Sequence, residues 1–186
     1  MMLKILKDDK EITQVKNGII NFKFFKTGKQ KGRFRLKFKD INGNQCLINN
    51  CFSCINYFEQ KSTNLKEYPS YNFTYISEIE EIEDEFGKGL KVQFNPTSTH
   101  NTKFSFSISF KFYDNLNFTL LRLVNVQDLS SEQFKIHSLS PLTIKNEPLY
   151  LSKDEEPTNL EKITWFKNGW QSWSPCKVFY GDQKDR

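Results

Sequence analysis

The sequence predicts an all-β protein built as an antiparallel β-sandwich. Two segments, residues 33–39 and 103–112, alternate apolar and polar side chains with a period of two. That pattern is typical of strands with one buried face. Asn42-Gly43 follows the first segment, and Asn-Gly favours a tight hairpin turn. Helical periodicity is weak throughout the sequence. We therefore expect strands and turns to account for most of the chain.

The length of the chain suits one domain, or one domain with a tail. The chain has 186 residues, 37% of them hydrophobic and 15% aromatic, and its 18 phenylalanines can supply most of a core. A net charge of +5 is too small to predict disorder. The first ten residues lack the apolar region of a secretory signal, and no apolar run reaches the ~20 residues of a membrane span. We therefore expect a cytoplasmic protein with no membrane partner.

The N-terminal half contains the following predicted elements. A first strand covers residues 19–25. In the second, Arg33, Arg35, Lys37 and Lys39 share a solvated face opposite Phe34, Leu36 and Phe38. A turn over residues 40–44 comes next, and residues 54–66, which lack turn residues, are expected to form a short helix. Further strands are predicted at residues 71–79 and 90–94.

The C-terminal half continues the sandwich. Residues 103–112 place Phe and Ile on one face and Ser and Lys on the other, and residues 117–126 form the partner strand across Asp114-Asn115. Strands are also expected at residues 134–139 and 149–151, followed by a solvated loop over 153–159. We expect residues 1–165 to be the sandwich domain, and residues 166–186 to hold a tryptophan-rich motif and the start of a linker.

That motif is Asn168-Gly169-Trp170-Gln171-Ser172-Trp173-Ser174-Pro175-Cys176. It contains two of the chain's three tryptophans. Trp170 and Trp173 on a turn-rich segment indicate a surface that stacks on something flat, and the C–H face of a sugar ring fits this requirement. Gln171 and Ser172 can bond sugar hydroxyls. The alternative is that both indoles are packing residues at a sandwich edge.

The motif resembles one near the end of the N-terminal β-domain of family 36 α-galactosidases and their raffinose-synthase-like relatives. The approach through Ile136–Leu142, Leu149–Leu151 and Trp165–Lys167 is similar too, so the resemblance covers roughly residues 134–178. It implies a parent enzyme whose (β/α)8 barrel carries two catalytic aspartates. We see no barrel-type alternation of strands and helices in this sequence. The chain is therefore expected to be either a truncated gene product or a standalone carbohydrate-binding β-sandwich.

The resemblance also implies site roles. Trp173 would contact galactose at the mouth of the barrel's pocket, while Trp170 and Gln171 shape and anchor the loop. No catalytic residue, metal or cofactor is expected in this chain. The implied partner is an α-galactoside bound through the missing barrel. A sandwich that normally packs on a barrel would expose an apolar patch, so we expect poor solubility or a homo-oligomer.

The cysteines suggest a competing hypothesis. Cys46, Cys51 and Cys54 have the C-x4-C-x2-C spacing of plant-type [2Fe–2S] proteins, and thiolates so spaced can also bind zinc. Two observations count against this hypothesis. The segment 47–50 is bulky for a cluster loop, and Cys176 is far away in sequence. Buried thiols in a reducing compartment are the simpler interpretation.

Nucleic-acid binding is the second competing hypothesis. Residues 23–39 interleave eight Lys and Arg with aromatic side chains, a composition found in single-strand binders. The alternation in 33–39 turns those aromatics toward the core, however, so we expect no nucleic-acid partner.

The acidic run over residues 78–85 predicts a solvated face rather than a catalytic carboxylate pair. His100 and His137 complete no recognisable triad.

Overall fold

The computed structural model describes residues 3–145, with gaps at 19, 40–42, 44, 61, 98–101, 115, 117 and 131–133, and the backbone of 164–167 and 177–180. The strands are β1 (Lys4–Asp8), β2 (Ile12–Asn17), β3 (Ile20–Phe25), β4 (Arg33–Lys39), β5 (Gln45–Glu59), β6 (Lys66–Pro69), β7 (Tyr75–Asp84), β8 (Gly87–Pro96), β9 (Phe104–Tyr113), β10 (Thr119–Asp128), β11 (Phe134–Thr143), β12 (Thr164–Lys167) and β13 (Lys177–Tyr180). One 3₁₀ turn, Ser70–Asn72, precedes β7.

Two antiparallel sheets pack face to face, which confirms the predicted all-β sandwich. Sheet A has the order β1-β2-β3-β4-β5-β11, and β6 also pairs with β5. Sheet B has the order β10-β9-β8-β7. The strands β12 and β13 form a separate two-stranded sheet.

Aromatic rings fill the space between the sheets. Phe24 of β3 stacks on Phe94 of β8 with ring centroids 3.8 Å apart. Phe22 contacts Phe110 of β9 at 4.3 Å. All four side chains are at most 1% exposed. Because large buried aromatics contribute strongly to cores, these inter-sheet contacts hold the sandwich together.

The alternation in β4 has the predicted result, whereas β9 is buried on both faces because Ser105, Ser107 and Ser109 are at most 7% exposed. Phe34 is fully buried while Lys37 and Lys39 are exposed. The five apolar residues of β9 at alternate positions all belong to the core: Phe104, Phe106, Ile108, Phe110 and Phe112. The β9–β10 hairpin also forms as expected, with Phe112 opposite Thr119.

The expected helix over residues 54–66 is wrong. Cys54 through Glu59 are the second half of β5, a 15-residue strand that pairs with β4, β6 and β11. Its central residues, 51–55, are buried on both faces, so the alternation that marks a half-buried strand is missing there. A bulge with Asn50 at a φ of 50° also interrupts the period.

The strand expected at residues 71–79 begins later than predicted. β7 starts at Tyr75 because the 3₁₀ turn occupies Ser70–Asn72. Gly32 lies against this turn: the Ser70 hydroxyl donates to the Gly32 carbonyl (2.5 Å) and accepts from the Ser53 N–H (3.1 Å).

The strand expected at 149–151 and the loop expected at 153–159 lie outside the described residues.

Candidate functional site

The tryptophan motif connects the strands of the C-terminal hairpin. β12 and β13 are antiparallel, with Thr164 opposite Tyr180 and Lys167 opposite Lys177. Residues 168–176 link the last pair. The predicted site residues Trp170, Gln171 and Trp173 all belong to this link and lie outside the described residues. Lys167 and Lys177, the described residues that flank the motif in sequence, therefore lie opposite each other.

The chain leading to the hairpin passes through β11, an end strand of sheet A. Its side chains Ser138 and Ser140 both accept hydrogen bonds from the Asn56 amide of β5, at 2.9 and 3.2 Å. The Ser53 hydroxyl donates to the Pro141 carbonyl at 2.6 Å. These hydrogen bonds tie β11 to β5.

Three apolar side chains of β11 are exposed: Ile136, Leu139 and Leu142 are 42%, 44% and 45% accessible. They lie within seven residues of one strand, and two register shifts against β5 interrupt its pairing. Strand bulges redirect side chains and are frequent at sheet edges. We refer to Ile136, Leu139 and Leu142 as the β11 apolar row.

The three described cysteines do not converge. Cys51 belongs to the inter-sheet core, and burial raises the pKa of its thiol to about 12. The Cys54 sulfur lies on the opposite face of β5, 3.5 Å from the Thr143 hydroxyl. Cys46 is also buried, near the start of the strand. Within the described part of the chain, no group of three or more His, Cys, Asp or Glu could hold a metal ion.

The basic stretch is divided between core and surface. The rings of Phe22, Phe24 and Phe34 are buried, so they cannot stack on a base. Lys26 is buried as well, and its ammonium donates to Asp8 (2.8 Å) and Ser77 (2.9 Å). This cluster ties β1 of sheet A to β7 of sheet B.

Arg33 packs between aromatic rings on the outer face of sheet A. Its guanidinium carbon lies 4.3 Å from the Tyr71 ring centroid and 5.6 Å from that of Phe52. Most of the acidic run over residues 78–85 is solvated, as expected: Glu78, Glu80, Glu81 and Glu83 are exposed. Asp84 is the exception, since its carboxylate accepts from Lys111 (2.8 Å) and Tyr113 (2.9 Å). His137 is exposed on β11, where it contacts the Phe58 ring.

Sequence reasoning did not find a cleft of about 500 Å³ where β5 ends and β11 begins. We call it the end cleft. Its lining residues come from two distant parts of the chain: Phe58, Glu59, Gln60, Ser62, Thr63, Phe134 and Lys135. No single motif marks it, because only the pairing of β11 with β5 brings these residues together.

Comparison with protein-family models, with curated proteins and with solved structures finds no significant match to this chain. In the described residues, no helix is long and apolar enough to cross a membrane.

Proposed function

We propose that this chain is the N-terminal, non-catalytic β-domain of an α-galactosidase-like glycoside hydrolase that acts on terminal α-galactosides. The observation that carries the proposal is the Asn168–Cys176 motif, which has two tryptophans and joins two paired strands downstream of a β-sandwich. In this proposal Trp173 contacts the sugar, and Trp170 and Gln171 shape the loop.

The division of labour follows from the chemistry of glycoside hydrolysis. A retaining glycosidase needs two carboxyl groups about 5 to 5.5 Å apart, one as nucleophile and one as acid and base. A second domain would supply both. Trp173 would orient the substrate: its indole N–H can donate one hydrogen bond, and its ring can shield the sugar from water.

The β11 apolar row supports a packing partner. Ile136, Leu139 and Leu142 are each more than two-fifths exposed, on the strand that precedes the hairpin in the described chain. Apolar side chains concentrated on one edge often mark an interaction surface. The proposal assigns the β11 apolar row to packing against a catalytic domain that follows the hairpin in the chain.

The test is a kinetic comparison in the product of the full open reading frame, with an aryl α-galactoside as substrate. Trp173→Ala should lower kcat/KM about 10- to 100-fold, because loss of one stacked and hydrogen-bonded contact removes ~1.4 to 3 kcal/mol. Phe86→Ala is the matched control: Phe86 is an aromatic side chain 43% exposed, in the β7–β8 turn. An unchanged kcat/KM for Trp173→Ala would overturn the assigned role of Trp173.

A standalone carbohydrate-binding module is the second candidate. It keeps the sandwich and the sugar contact but has no hydrolytic activity. Galactoside binding that depends on Trp173, with no hydrolysis by the product of the full reading frame, would favour it over the enzyme hypothesis.

A further inference from the structure

We propose that the end cleft binds an acidic sugar, a pyranose ring that carries a carboxylate, through the Phe58 ring and the Lys135 ammonium. This inference does not depend on the proposed function, since its residues are separate from the tryptophan motif. The cleft volume of about 500 Å³ lies within the range of small-molecule sites, which is roughly 300 to 1,000 Å³.

Phe58 supplies the stacking surface. It is half-buried at the end of β5, and among the described side chains its ring contact is edge-on with His137, at 5.5 Å and 74°. Phe134 is less suitable, because the Lys103 ammonium already lies 5.0 Å from its ring centroid. The apolar face of a pyranose can pack on an aromatic ring of this kind.

The charges at the cleft favour an anion. The Glu59 carboxylate is held by Lys103 at 2.7 Å and by Lys66 at 2.5 Å. Lys135, which is exposed and lines the cleft, adds a third ammonium group. Because Lys103 and Lys66 compensate the Glu59 carboxylate, Lys135 is the cation of the described lining that can face a ligand anion. A ligand carboxylate would therefore be attracted to this end of the sandwich.

The hydrogen bonds from Lys103 and Lys66 also keep the pKa of Glu59 below its ordinary value. Glu59 is thus ionised at neutral pH and is available to accept hydrogen bonds from sugar hydroxyls. Its position on the cleft wall is fixed by two ion pairs, so little ordering is left for the ligand to impose.

The turn after β5 supplies neutral polar groups. The Ser62 N–H donates to the Glu59 carbonyl (3.0 Å), which closes the turn. The Ser62 hydroxyl accepts from the Asn64 N–H (3.1 Å), so its own proton can be donated to a ligand. Gln60 and Thr63 are exposed on the same lining. Amide and hydroxyl groups beside an aromatic ring are what a sugar ring requires.

The experiment is a titration of the whole chain with D-galacturonate and with D-galactose, followed by saturation-transfer NMR or calorimetry. We expect galacturonate to bind with a Kd of about 1 mM, and galactose to bind about 10-fold more weakly. Lys135→Glu should weaken galacturonate binding about 10-fold, and Phe58→Ala should reduce the binding of both sugars.

Lys37→Glu is the matched control, because Lys37 is exposed on β4 and does not line the cleft. Lys135 is itself exposed, so its replacement should leave the fold intact. Galacturonate affinity in Lys135→Glu equal to that of the Lys37→Glu control would overturn the proposal. Failure of both sugars to bind at concentrations of about 10 mM would overturn it too.

A Trp173→Ala variant separates this inference from the proposed function. We expect galacturonate binding to be unchanged by Trp173→Ala. If that variant loses galacturonate while Lys135→Glu retains it, the sugar binds at the tryptophan loop and the end cleft is not the site. That result would leave the proposed role of Trp173 intact.

Discussion

Gly32 tests how closely the β3–β4 connection approaches the 3₁₀ turn. It adopts a φ of 68°, and a Cβ added to it would collide with the Ser70 carbonyl. Gly28, four residues earlier in the same connection, has a φ of 76° and nothing within 4 Å of an added Cβ. The two glycines thus share the conformational requirement and differ in the space around them.

The expected magnitudes follow from that difference. Alanine in the left-handed region costs about 1 kcal/mol at either position. At Gly32 the backbone must also move, which endangers the hydrogen bond from its N–H to the Phe25 carbonyl (2.8 Å) and the one from the Ser70 hydroxyl to its own carbonyl (2.5 Å). Each is worth about 1 kcal/mol. We expect Gly32→Ala to destabilise by about 3 kcal/mol and Gly28→Ala by about 1 kcal/mol.

Urea unfolding followed by circular dichroism measures both variants under identical conditions. The difference between the two variants is the quantity of interest, because the unfolded-state effect of a Gly-to-Ala change is common to both. Equal destabilisation of the two variants would refute the close packing of Gly32 against Ser70. A larger loss in Gly28→Ala would refute it more strongly.

Two further predictions concern charge and thiol chemistry. Burial works to raise the pKa of Asp8, but hydrogen bonds from Lys26, Thr13 and Ser77 outweigh it and leave the pKa below 3.8. The stability that this carboxylate contributes is therefore present above pH ~4 and is lost as the pH falls through the lowered pKa. When the urea midpoint of unfolding is plotted against pH, Asp8→Asn should show a smaller fall at acid pH than the unchanged protein. Parallel curves for the two proteins would contradict this expectation. Cys51 is fully buried, and burial raises the pKa of its thiol to about 12. The thiol should therefore not be alkylated by iodoacetamide at pH 8 until urea unfolds the chain, as measured by mass spectrometry of the peptide that contains Cys51. Alkylation of Cys51 in the folded protein at the rate of a model thiol would show that this thiol is not in the core.

Particular strands show how far the sequence could predict this fold. β4 has one core face, and its period of two identified both the strand and its buried side. β9 is buried on both faces, and it was identified because phenylalanine or isoleucine alternates with serine in its sequence. β5 was mistaken in part for a helix because its middle is covered on both faces and bulged at Asn50. Local patterns cannot report burial that comes from strands distant in sequence.

The candidate sites show the same limit. The tryptophan motif is contiguous, so the sequence alone could single it out. The end cleft combines Phe58 and its neighbours with Phe134 and Lys135, which meet only after β11 pairs with β5. To predict the end cleft from the sequence, one would need the register of the β5–β11 pair, and no short-range pattern in the sequence encodes that register. Likewise Lys26, counted within a basic stretch, is buried through contacts with Asp8 and Ser77.

The most direct test of the central claim is to sequence the locus downstream of the codon for Arg186. The proposal predicts an open frame that continues into alternating strands and helices, with aspartates at strand ends. The product of that frame should hydrolyse an aryl α-galactoside. A stop codon directly after Arg186, together with no galactoside binding by the 186-residue chain, would contradict the assignment to a galactosidase-like enzyme.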